Sequence, residues 1–148
     1  MIIDCDTHIM PSDAFDDMPE ELRGKAPIPR YSKEGLLVDM DFPGAPPEVP
    51  GVTPLGAPGS GASMKGLVDI QTRLDEMPVL GVDRQFVLPQ FSGWWTYMIE
   101  PTLASAIARS YNLSNLRLME LYNERIIGVA IVQLQDVPAA IREMEWAQ

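Results

Sequence analysis

The sequence predicts an α/β fold: a partial (β/α)8 TIM barrel, its first three βα units present, with a long Pro/Gly-rich insertion after strand 1. Three observations predict it. Short apolar runs suited to strands alternate with longer stretches of helical periodicity. The order β, long loop, α, β, α, β, α implies a parallel sheet with crossover helices. The last apolar run, Ile126 to Val132, is rich in β-branched residues and carries no polar side chain, which suits a strand buried on both faces of a parallel sheet.

Met1 to Cys5 is the expected first strand, short and buried. Leu67, Ile70, Leu74 and Met77 recur at helical spacing and predict an amphipathic helix ending near Pro78 or Gly81. Gln85 to Leu88 is a short second strand, stopped by Pro89. Pro101 then opens a long helix, because a proline is tolerated in the first turn. Its apolar face runs Ala104, Ile107, Tyr111, Leu118, Leu121. After the third strand, Asp136 and Pro138 open another helix, with Val137, Ala140, Ile141 and Met144 on one face.

The insertion spans 11–66. It holds ten of the 14 prolines and eight of the 11 glycines. Proline removes amide donors and glycine costs backbone entropy, so this stretch is expected to be irregular. Two readings stand side by side: a mobile insertion without chemistry, or a lid over a site at the end of the first strand. Residues 1–148 form one domain-sized unit, but a full barrel takes eight units and about 250 residues. The expectation is therefore the N-terminal part of a barrel domain in a truncated chain. A small three-stranded domain is the alternative, and it leaves both sheet edges exposed.

The 148 residues carry 46% hydrophobic and 22% charged side chains, a globular composition. The net charge is −10 and the pI about 4.4. An acidic chain argues against nucleic acid or an anionic membrane surface as partner. A single cysteine, Cys5, excludes an internal disulfide and points to a cytoplasmic setting. The opening Met-Ile-Ile-Asp-Cys-Asp is not expected to be a signal peptide. No apolar run approaches the roughly 18 residues of a membrane span.

Asp4, Asp6 and His8 are spaced by two, and His8 is the only histidine. On a continuing strand they share a face. Three ionisable groups are costly against a helix layer, so the barrel lumen at the C-terminal end of the strand is their expected place. A carboxylate and an imidazole converging there suit a divalent metal, zinc or manganese. A hydrogen-bonded turn closing the strand is the structural alternative. Trp94 and Trp95 follow the second strand and are candidates for the wall of a substrate pocket. Core packing or a subunit contact is their other reading. Cys5, on the face opposite Asp4 and Asp6, is expected to be an inert core residue. Arg84, at the far end of the second strand, is given a structural role.

The run Ile3-Asp4-Cys5-Asp6-Thr7-His8-Ile9-Met10-Pro11 resembles the opening of amidohydrolase-related (amidohydrolase family 2) metal-dependent enzymes of the aminocarboxymuconate-semialdehyde decarboxylase type. Further stretches resemble the same family in register. They are Arg73 to Met77, Leu80 to Pro89, Ala106 to Asn112, Glu124 to Ala130 and Leu134 to Asp136. The resemblance implies that Asp6 and His8 are the two metal ligands of the first strand. It implies that Asp4 stands behind them and orients the ligands. The family's further ligands, a histidine near strand 5 and an aspartate at strand 8, have no counterpart here, so catalytic residues are expected beyond residue 148. Two ligands fall short of the usual three, and the isolated chain is expected to bind metal weakly and to be inactive. The implied chemistry is non-oxidative decarboxylation of a small carboxylated substrate. Hydrolysis of a lactone or related ring is the alternative within the same fold. The alternative outside enzymes is a non-catalytic half-barrel whose edges are completed by a partner or a second copy in a homo-oligomer.

Overall fold

The computed structural model describes residues 1–44, 65–89 and 100–148. The elements in chain order are β1 (Ile3–Ile9), α1 (Glu20–Arg23), β2 (Ile28–Tyr31), β3 (Leu37–Asp41), a 3-10 turn (Lys65–Leu67), α2 (Ile70–Val79), β4 (Arg84–Pro89), α3 (Pro101–Tyr122), β5 (Ile126–Gly128) and α4 (Val137–Trp146). β1, β4 and β5 form one parallel sheet in the order β1-β4-β5, with helices at the crossovers. β2 and β3 pair antiparallel inside the insertion. This is the partial-barrel topology that the alternation of elements predicts.

Each long helix is started by an acidic cap. The Asp69 carboxylate accepts the N–H groups of Gln71 and Thr72 at the head of α2. Glu100 does the same for Thr102 and Leu103, with Pro101 in the first turn of α3. Asp136 accepts from Ala139 at the head of α4. These contacts satisfy amides that have no partner within the helix. Past the end of α2, Gly81 turns the chain at φ +71°, a conformation that glycine adopts without strain.

α2 and α3 cover one face of the sheet. Ile9, Met77, Val87 and Ile126 are buried there, with Ile70, Leu74 and Leu118 packed around them. Alternation along β4 fixes the sides, since Gln85, Val87 and Pro89 are buried while Arg84, Phe86 and Leu88 are only partly so. The helix layer therefore lies over the Gln85–Val87–Pro89 face.

The insertion departs from its expected irregularity. Its described part carries α1 and the β2–β3 hairpin. The reason lies in where the breakers fall: six of its ten prolines and five of its eight glycines sit in 43–61, leaving 28–41 free to pair. Pro29 falls on β2, in a two-stranded sheet where every strand is an edge and a missing amide is tolerated. The insertion packs on α3. Leu37 and Met40 join Met10, Ala108 and Tyr111 in one cluster, and Met18 and Ala26 join Leu103, Ala104 and Ile107 in another. Arg117 of α3 pins its start, at 2.7 Å from Asp13 and 2.8 Å from Asp17.

All three strands of the parallel sheet differ in length from expectation, β4 by one residue at each end, so that Pro89 is its last residue. β1 runs on through Asp6 and His8 to Ile9. β5 stops at Gly128 rather than Val132. Past it, Val129 still donates to the Val87 carbonyl at 3.1 Å. Beyond that, Asn112 of α3 takes over both the N–H and the carbonyl of Ile131, so the chain satisfies its backbone without a ladder. Cys5 is exposed rather than in the core. The N-terminal half of β1 lies outside the packed layer, and Ile2 and Ile3 are exposed with it.

Candidate metal centre

The C-terminal half of β1 carries the candidate residues. Ile3 and Asp4 pair with Arg84 and Gln85, whereas Thr7, His8 and Ile9 pair with Val87, Leu88 and Pro89. Between these two registers β1 has one residue more than β4, which is a β-bulge. Its local cause is the Asp4 carboxylate, which accepts the Asp6 N–H at 3.1 Å and so takes an amide away from the ladder. The bulge breaks the simple alternation. Asp4 is in register with Gln85 on the helix side, and Gln85 Nε2 donates to its Oδ2 at 3.4 Å. His8 is in register with Leu88 on the opposite, lumen side.

Asp6 and His8 come together. Asp6 Oδ1 lies 3.8 Å from His8 Nε2. The imidazole is 46% exposed and the carboxylate 91% exposed, so both donors are open to solvent. The donor set fits two positions of a divalent cation. Two ligands at tetrahedral distances from a zinc ion stand roughly 3.4 Å apart, close to the spacing seen. Among the described residues, no group of three or more His, Cys, Asp or Glu side chains could hold a metal ion. Trp94 and Trp95 lie outside the described residues.

The backbone below the pair is tied down. Arg73 of α2 donates through Nη2 to the His8 carbonyl, through Nε to the Gly66 carbonyl at 2.8 Å and through Nη1 to Gln85 Oε1 at 2.9 Å. Burial pulls the Arg73 pKa below its ordinary value, against the carboxylates of Glu76 and Asp4, which favour the charge. The Tyr111 hydroxyl donates to the next carbonyl, Ile9. The Met10 N–H donates to the Leu67 carbonyl at 2.8 Å. The end of β1 is thus fastened to α2, to α3 and to the returning end of the insertion. Sequence reasoning passed over Arg73. The signal was there: Ile70, Arg73, Leu74 and Met77 share one helical stripe, and a cation on an inward stripe needs buried acceptors.

A cavity of about 260 Å³ lies elsewhere, lined by Asn112, Asn115 and Met119 of α3, Gly128, Ala130 and Trp146 among others. It shares no residue with the Asp6–His8 pair.

Known structures share this fold. The 2,6-dihydroxybenzoate decarboxylase from Rhizobium matches with a TM-score of 0.57 and 18% identity, over 97% of this chain and 33% of that one. The 5-carboxyvanillate decarboxylase from Sphingomonas paucimobilis matches with a TM-score of 0.62 and 18% identity, over 99% of this chain and 38% of that one. An amidohydrolase from Mycobacterium avium subsp. paratuberculosis K-10 matches with a TM-score of 0.60 and 19% identity, over 98% of this chain and 46% of that one. At such identities the likeness is one of fold. The chain spans between a third and a half of the length of these structures. No protein-family model matches the sequence, and comparison with curated proteins gives no match. No helix among the described residues is long and apolar enough to cross a membrane.

Proposed function

We propose that this chain supplies one corner of a divalent-metal site in an amidohydrolase-type enzyme, and that the reaction is the non-oxidative decarboxylation of a small, carboxylated aromatic substrate. The observation that carries the reading is the Asp6–His8 pair, a carboxylate and an imidazole 3.8 Å apart near the C-terminal end of a parallel strand. That end of a barrel strand is where such folds carry their chemistry. The substrate class comes from the two decarboxylases of similar fold, whose substrates are aromatic carboxylates.

In this reading Asp6 and His8 would hold the ion. A divalent cation, zinc or manganese, would supply the positive charge that holds a substrate oxygen. Asp4 acts from the other face, where its contacts to the Asp6 N–H and Gln85 hold the bulge in place. The reading requires at least one further ligand, and the acid that returns a proton to carbon as CO2 leaves, from outside the described residues. Trp94 and Trp95 remain candidates for the pocket wall. Hydrolysis, of a lactone or related ring, is the second reading; the Mycobacterium structure of similar fold, named an amidohydrolase, supports hydrolysis in general.

Isothermal titration with Zn²⁺ and Mn²⁺ tests the corner. Weak binding that disappears in both Asp6→Asn and His8→Ala is the expected result. Equal binding by wild type and both variants sinks the assignment.

A further inference from the structure

Arg73 occupies a position on α2 where packing alone would place an aliphatic side chain. It stands between Ile70 and Leu74, whose side chains meet the core under the sheet. A guanidinium there is costly unless its donors are matched. All three nitrogens are matched, and the three acceptors belong to three different pieces of chain. Gly66 closes the insertion. Gln85 lies at the start of β4 and passes a hydrogen bond on to Asp4. His8 carries the imidazole of the candidate centre.

We infer that Arg73 is the positioning residue of the Asp6–His8 corner, fixing the backbone from which the imidazole projects and tying it to the end of the insertion and to Asp4. The inference rests on the metal-corner reading and names the side chain that sets its geometry. Arginine suits the task because its planar fork meets three acceptors in three fixed directions. The compact ammonium of lysine keeps the charge but not that geometry.

The single histidine makes the test direct, because its imidazole gives one unambiguous set of proton–carbon NMR signals. These signals are compared in wild type, Arg73→Gln, Arg73→Lys and Ile107→Ala, first without metal and then alongside Mn²⁺ affinity from calorimetry. Ile107 packs in the separate cluster with Met18 and Leu103, so its truncation loosens the fold away from His8. Both Arg73 variants are expected to move the His8 signals and to lower Mn²⁺ affinity on the order of 10- to 100-fold. Ile107→Ala is expected to melt earlier yet keep wild-type signals and affinity. Wild-type His8 signals in Arg73→Gln overturn the inference. Recovery of the wild-type spectrum in Arg73→Lys also overturns it, because charge alone would then suffice. Equal movement in Ile107→Ala overturns it as well, by tracing the effect to general loosening. Absence of Mn²⁺ binding in wild type counts against the metal corner itself, and the metal-free signals still decide the role of Arg73.

Discussion

Asn112 grips Ile131 by both sides of its backbone: Oδ1 accepts the Ile131 N–H at 2.7 Å, and Nδ2 donates to the Ile131 carbonyl at 2.8 Å. A helix side chain therefore does the work of a neighbouring strand where β5 has lost its ladder. Ile131 is 7% exposed, so water is a poor substitute. Asn112→Ala should leave two backbone groups unpaired at about 1–3 kcal/mol each. The expected loss in a urea melt is about 2–6 kcal/mol. A loss under about 0.5 kcal/mol would mean that the segment finds other partners.

The Asp13–Arg117 contact predicts how stability responds to acid. Burial raises the Asp13 pKa, but hydrogen bonds from Ser114 and Arg117 and the charge of Arg117 lower it by more, leaving it below its ordinary 3.8. The folded carboxyl thus takes up a proton less readily than the unfolded one. Its contribution is complete above the ordinary value and fades as pH falls through the lower, folded one. Asp69, held by the Thr72 hydroxyl and amide, and Glu100, held chiefly by Thr102, shift the same way. Thermal melts should show Tm falling as pH drops below about 4. Asp13→Asn should lower Tm at neutral pH and flatten that slope. An unchanged slope in the variant would remove Asp13 from the account.

Gly81 isolates a backbone effect. It sits at φ +71°, and a Cβ built there meets nothing within 4 Å. Gly81→Ala should therefore cost only the left-handed penalty, about 1–2 kcal/mol. Gly81→Asn should cost less, since asparagine visits that region more readily. Paired denaturant melts read the difference, and equal losses would point to a contact rather than a conformation.

How much of this was legible in the sequence depends on the range of the interaction. The βα alternation and the helix caps are local patterns, and the elements predicted from the alternation and from Asp136 are present. Asp69 and Glu100 act within three residues of their own position. The hairpin was hidden because composition averaged over 11–66 merged 28–41, which holds one proline, with 43–61, which holds six. The pairing of Asp6 with His8 followed from a spacing of two. The turning of Asp4 to the other face did not, because the bulge depends on a side chain competing for a ladder amide and on register against β4. Arg73 and Asn112 were missed for a common reason. A polar residue on a helix looks solvated until the backbone it serves, 65 residues earlier for Arg73 and 19 residues later for Asn112, is folded beside it.

α4 supplies the last prediction, because it is held to the protein by its polar side. Arg109 Nε donates to Glu143 Oε2 at 2.8 Å, and Asn112 Nδ2 donates to Oε1 at 2.8 Å. The Arg109 guanidinium also lies 4.2 Å from the centre of the Trp146 ring. Val137, Ile141 and Met144 recur along another side of the helix and are 57%, 50% and 54% exposed. An amphipathic helix ordinarily buries such a stripe. Here the partly buried Glu143 is the anchor, with its side chain 12% exposed. Glu143→Ala should therefore cost about 1–3 kcal/mol, since it strands the donors of Arg109 and Asn112. Ile141→Lys and Met144→Lys should change stability by less than about 0.5 kcal/mol, as exposed substitutions do. Urea melts of the three variants give the ranking. The reverse order, with a large loss at Ile141 and tolerance at Glu143, would mean that the stripe is covered in solution and that α4 seats on the protein by its other face.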